Sequence, residues 1–275
     1  MLIDNSIWVY EVMILVYAAS VILYFYDFLQ TNKNVNRIAY ILLIVVWVIQ
    51  TIFFHMRMKQ LEYLPIMTLF ETLFFYSWVL VCLSLVINYL YRMDLLVFSA
   101  NVFGFSIVIL NVFVSKQEEA GISEILQSDL LNIHIIFAIA SYALFSISFL
   151  FSVMYLLQVH MLKSKRIFSN LFKKLPPLDK LDRFSYLSAL IAFPVLTISL
   201  VLGTIWAYMH AINIWLDWKF ISSLIILFVY GLYLYRRVAQ GWQGRKSAVL
   251  NIAGFALVLI NYFISNILSN FHRWI

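Results

Sequence analysis

Cysteine occurs once in this chain of 275 residues, at Cys82, inside an apolar run. One thiol closes no intrachain disulfide and builds no thiolate metal site. Charge is scarce as well. Charged residues make up 12% of the chain, where an average soluble domain carries about 25%. That is too little to clothe a water-facing surface, so soluble Rossmann, TIM-barrel and sandwich enzymes are excluded. Of the four prolines only Pro194 interrupts a long apolar stretch, and no second half mirrors it. A small-molecule transporter built from inverted repeats and paired broken helices therefore ranks last. The sequence also lacks a P-loop, a nucleophile elbow and paired carboxylates at working distance, so no enzymatic activity is expected.

What fills the chain is apolar: 64% hydrophobic and 18% aromatic residues, with a mean hydropathy of +0.92. A helix crosses the hydrocarbon layer in about 20 residues, so the gaps between charges measure the spans. Uncharged gaps of 19 residues follow Arg37, 20 follow Glu71, 21 follow Asp94, and 33 follow both Asp129 and Arg183. Gaps of 16 after Lys219 and 26 after Lys246 complete the set; the shorter one suffices if its flanking Lys and Arg snorkel. Residues 1–29 hold Asp4 and Glu11 but no basic stretch and no small-residue cleavage site, so they are expected to stay as the first span. The expectation is an all-α bundle of eight transmembrane helices forming one transmembrane domain, 1–275. Its spans are about 6–29, 38–56, 66–91, 94–115, 130–162, 184–211, 218–236 and 247–271.

Lys and Arg gather on the cytoplasmic side of membrane proteins. Loops after the odd-numbered spans hold 14 of the 19 basic residues, which puts both termini outside the cytoplasm in a multi-pass protein of the plasma membrane. Seven of the 14 lie in one stretch, 161–183: Lys163, Lys165, Arg166, Lys173, Lys174, Lys180 and Arg183. The net charge of +6 thus expresses topology and does not call for a nucleic-acid partner. That stretch could still dock a cytoplasmic protein or anionic lipid.

The topology sorts the histidines. His55, His134, His210 and His272 fall at the outer face, and His160 at the inner one. No pair stands at the i,i+3 or i,i+4 spacing of a zinc site, and none lies deep in a span as in a b-type cytochrome. Tryptophans also crowd the outer side. Trp8 and Trp274 read as an aromatic belt, whereas Trp206, Trp215 and Trp218 cluster with Asp217 around one short loop. Flat indoles can carry a flat porphyrin by stacking.

Several stretches resemble the cytochrome c assembly, or haem-handling, membrane proteins (the CcsA, ResC and CcmC group). In "LGTIWAYMHAINIWLDWKF", Gly203, Trp206, Trp215, Asp217 and Lys219 lie on the family's tryptophan-rich motif with one residue deleted. "IHIIFAIASYA" sets His134 eight residues before Tyr142, as in the family's first outer histidine. "PIMTLFETLFFYSW" reproduces a Pro, Glu, Ser-Trp spacing through Pro65, Glu71, Ser77 and Trp78. "GWQGRK" matches the inner loop with Gly241, Trp242, Gly244 and Arg245, and His272 falls near the family's second outer histidine. The chain departs from the pattern at Ala211, Ile212 and Asn213, and at Tyr63, where the family has a histidine before its proline. It also has no large outer domain.

The resemblance implies haem at the outer loop between the sixth and seventh spans, with His134 and His272 as axial ligands of the iron. Trp206, Trp215 and Trp218 would stack on the porphyrin, and Asp217 would orient a neighbouring donor or a tryptophan N–H. His55, His210 and Glu71 are secondary candidates, Glu71 because an ionisable group inside a membrane helix is costly. A short family member with a worn tryptophan motif further implies a link to tetrapyrrole synthesis, through control of how much glutamyl-tRNA reductase accumulates. The alternative is a regulatory adaptor that acts on that enzyme through residues 161–183 and binds no haem.

Overall fold

The computed structural model describes residues 2–113, 128–165, 170–212, 214, 215 and 217–268. They form α1 (Leu2–Gln30), α2 (Lys33–Leu61), α3 (Leu69–Tyr91), α4 (Asp94–Phe113), α5 (Asp129–Lys163), α6 (Asn170–Lys174), α7 (Leu178–Met209), α8 (Trp218–Ala239) and α9 (Arg245–Leu268). No strand occurs among the described residues. α1 to α5, α7 and α8 are each long and apolar enough to cross a membrane. A bilayer core offers the backbone no partner, so a helix that satisfies its own N–H and C=O groups is the stable choice there.

Caps decide where several helices begin and end. Asn32 accepts from the N–H groups of Asn34 and Val35 to open α2. Thr68 and Glu71 form a capping box at the start of α3. Ser128 caps α5 and Asp217 caps α8. Glu62 and Arg92 take left-handed backbone conformations that close α2 and α3. α7 continues as one helix through Pro194.

The helices divide into two compact units, α1 to α4 with α6, and α5 with α7, α8 and α9. In the first, α1 buries Tyr10, Met13, Tyr17, Ser20 and Tyr24, at spacings that alternate between three and four. α2 answers with Ala39, Leu43, Val46, Gln50 and Phe53. This is a coiled-coil-like seam between neighbouring helices. Outside it, Leu15, Ile22, Phe25, Ile41 and Ile52 are exposed, as lipid-facing positions should be. α6 joins this unit through Lys174, whose Nζ donates to the Asp27 carboxylate at 3.0 Å.

The second unit rests on the long pairing of α5 with α7, against which α8 and α9 pack. Its interior is rich in hydroxyls and amides. Asn251 of α9 reaches Ser148 Oγ (2.7 Å), Ser152 Oγ (2.8 Å) and Ser185 Oγ (2.9 Å), which ties α9 to both α5 and α7. Asn261, further along α9, joins Ser222 of α8 and Tyr142 of α5. Among lipids, hydrophobic burial does not drive helices together, so close packing and such hydrogen bonds fix the register.

Candidate functional site

Ser199, Gly203, Trp206 and His210 recur along α7 at spacings of four, three and four, which puts them on one helical face. His134, in the second turn of α5, lies against the start of that stripe. Its Nδ1 stands 2.6 Å from the Ser199 carbonyl oxygen, and Ser199 Oγ donates in turn to the His134 carbonyl at 2.8 Å. A carbonyl only accepts, so Nδ1 carries the proton and donates. The ring is thereby fixed as the tautomer whose Nε2 keeps a free lone pair.

Gly203 is what lets the ring lie there. A Cβ at this position would come within 2.6 Å of His134 Cε1 and 2.7 Å of Nδ1, closer than atoms can approach. An imidazole with Nδ1–H on a backbone carbonyl is the posture of a metal-ligating histidine, in which the second hydrogen bond sets ring orientation and tautomer. Among the described residues no three His, Cys, Asp or Glu side chains gather as an isolated ion would need. A haem iron, already held by its porphyrin, asks the protein only for axial ligands. The donor set at His134 fits that requirement.

The remaining stripe residues close this end of the unit. Trp206, which the sequence groups with the loop indoles, is 1% exposed and lies inside the bundle, its ring 4.7 Å from that of His210. His210 Nδ1 bonds back to the Trp206 carbonyl at 2.8 Å. Trp215 is 68% exposed and meets Phe220 edge-on, and Trp218 is exposed at the first turn of α8. Asp217 Oδ1 accepts from the N–H groups of Lys219 (2.9 Å) and Phe220 (3.4 Å), so its carboxylate starts α8. His134, Trp206, His210, Trp215, Asp217 and Trp218 thus all belong to the end of this unit where α5 begins, α7 ends and α8 begins.

Other candidates lie elsewhere. His272 falls outside the described residues. His55 is exposed on α2 in the first unit, with Nδ1 at 3.1 Å from the Thr51 carbonyl. Glu71, also in that unit, is 3% exposed; its Oε2 accepts from the N–H groups of Met67 and Thr68, and Arg57 stands 3.8 Å away. His160 is exposed in the last turn of α5, about 39 Å along the helix from His134 at 1.5 Å per residue.

Two residues that sequence reasoning passed over carry much of the geometry. Ser199 is one, and its signal was there to find: a serine one turn before a glycine that faces the histidine. Asp182 is the other, a carboxylate beside Arg183 in the basic stretch. It holds Arg237 of α8 through two parallel hydrogen bonds, of 2.8 and 2.5 Å, and accepts from Gly244 N–H at 3.0 Å. That joint fixes the "GWQGRK" turn, where Gly244 takes a left-handed φ of 68° and a side chain would strike the Tyr155 hydroxyl.

A membrane-embedded helical bundle with this histidine and tryptophan arrangement defines a class: the chain belongs to the cytochrome c assembly protein family, which it matches over residues 66–272. It is a multi-pass membrane protein, and its bacterial relatives place it in the plasma membrane. Within the class it is similar to Protein HemX of Brevibacillus brevis, 46% identical over 97% of this chain and 98% of the relative. Protein HemX of Bacillus subtilis (strain 168) is 42% identical over 94% of each chain. Cytochrome c biogenesis protein CcsA of Guillardia theta is more distant, 29% identical over 86% of this chain and 85% of its own.

Proposed function

We propose that this chain is a non-enzymatic, HemX-like haem-binding protein of the plasma membrane, linked to the control of haem synthesis. It spans the bilayer eight times, α9 being the last span, with both termini on the extracytoplasmic side. The observation that carries the reading is His134: its Nδ1 is committed to Ser199 and Gly203 leaves room for its ring, so Nε2 is the ring nitrogen with a lone pair left for a metal. His134 and His272 would hold the iron, with Trp215 and Trp218 supplying apolar ring surface beside it. Bound haem would supply an iron whose axial positions report on ligation and redox state.

The test is the absorption spectrum of the detergent-purified full chain. A Soret band is expected, weakened and shifted in His134→Ala and unchanged in His160→Ala. A parent protein with no Soret band after growth with excess haem precursor defeats the reading. Reporter fusions at residue 170 and at the C-terminus should report opposite sides of the membrane; the same side for both overturns the topology.

A second reading is favoured by a separate observation. Lys163, Lys165, Lys173, Lys180 and Arg183 are exposed, and none pairs with a carboxylate among the described residues. This cationic stretch fits an adaptor that acts on glutamyl-tRNA reductase abundance. Its test neutralises Lys163, Lys165 and Lys173 but leaves Lys174, which is committed to Asp27. An unchanged reductase level in a correctly inserted variant rules the adaptor out.

A further inference from the structure

Arg236 and Arg237 are adjacent in the last turn of α8, yet they do different things. Arg237 turns inward to Asp182 and is fully paired. Arg236 lies over the Trp242 ring at 4.4 Å from its centroid, and Lys246 of α9 lies over the same ring at 5.6 Å. Arg245, next to Lys246, is exposed. None of Arg236, Arg245 and Lys246 meets a carboxylate among the described residues. Three cations are therefore concentrated on one turn, two of them on one indole, with no anion of the protein's own.

The depth of the turn identifies the missing anion. It joins the end of α8, a helix fit to cross the membrane, to the start of α9. Tryptophan and basic side chains at such an end lie at headgroup level. Tyr235 (59%) and Val238 (71%) on the last turns of α8, and Val249 (50%) on α9, are exposed apolar surface on the helices that flank the turn. A ligand that presents a phosphate at the turn and hydrocarbon along the helices meets both features. We propose that Arg236, Trp242, Arg245 and Lys246 form a binding site for the headgroup of an anionic phospholipid. A soluble anion would use the cations and leave the apolar flanks unused.

The detergent-purified full chain is offered phosphatidylglycerol or phosphatidylcholine, and the lipid retained is counted by native mass spectrometry. Phosphatidylglycerol is expected to be held in preference. Arg236→Gln with Lys246→Gln should cut its retention by about five-fold per charge removed and leave phosphatidylcholine retention as it was. Lys246→Gln alone, at an exposed position, should give the single-charge loss. Lys33→Gln with Arg37→Gln, which removes two exposed charges elsewhere, should change little. Retention unaffected by Lys246→Gln overturns the proposal, as does an equal loss in the Lys33 and Arg37 control. So does inorganic phosphate at millimolar concentration displacing the lipid as well as excess phosphatidylglycerol does.

Discussion

The unit of α1 to α4 and the unit of α5, α7, α8 and α9 are both helical bundles of membrane-spanning character, and both combine packed aromatic rings with buried hydrogen bonds between helices; they differ in how those bonds are laid out. In the first, Tyr10 packs among Phe53, Phe70 and Phe74 at ring separations of 5.5 to 6.1 Å, and the buried bonds form small separate groups, Tyr17 with Asn101 and Gln50 with Ser77. In the second, Asn251 gathers three serines, and Asn261 ties α9 to α5 and α8. Aromatic packing tolerates a change of shape by repacking, whereas a hydrogen bond is made or lost over a fraction of an ångström. The contact of His134 with Ser199 and Gly203 needs α5 and α7 in one register, and it is found in the unit where one residue, Asn251, bonds serines of both helices.

The strongest challenge to this contrast is Asp182→Ala. It leaves Arg237 largely buried without its bidentate partner and unpins Gly244, and breaking such a pair costs about 3–5 kcal/mol. Thermal unfolding in detergent should show the second unit destabilised; an unchanged midpoint would mean that the joint does not govern the turn. Gly203→Ala comes next, because the added carbon collides with the imidazole and overpacking of this kind costs about 1–3 kcal/mol. Its distinguishing sign is spectral: the Soret band should fall further than the loss of folded protein accounts for. Asn251→Leu should destabilise by roughly 1–2 kcal/mol, the bonds to its serines being worth about 0.6 kcal/mol each. Phe53→Leu in the first unit should cost less than about 1.5 kcal/mol and leave the spectrum alone. Should Phe53→Leu disturb the spectrum while Asn251→Leu does not, the contrast between the units is reversed.

The helices were legible because charge and hydrocarbon exclude one another. The gap after Asp129 predicts 130–162, and α5 runs Asp129–Lys163; the gap after Asp94 predicts 94–115, and α4 runs Asp94–Phe113. Where charges lie on a helix beyond the apolar stretch, the ruler stops short. α2 begins at Lys33 instead of 38 and α7 at Leu178 instead of 184, since Asn32 and Pro177 at the caps set those ends. Which face meets which neighbour was not legible. Lipid-facing positions such as Leu15 and Ile22 are as apolar as the buried seam, so periodicity fades. Trp206 shows the consequence: nearness in sequence to Trp215 suggests a shared loop, while its place on the Ser199–Gly203–His210 face buries it. The pairing of Lys174 with Asp27, 147 residues apart, leaves no mark in local pattern either.

The central claim is that His134 offers Nε2 to haem iron, and ligand replacement tests it most directly. His134→Gly should purify with its Soret band diminished, and added imidazole should restore the band towards that of the parent, because the cavity left between Ser199 and Gly203 admits the missing ring. His160→Gly should show the parent spectrum throughout. A His134→Gly protein that keeps the parent Soret band before any imidazole is added would contradict the account.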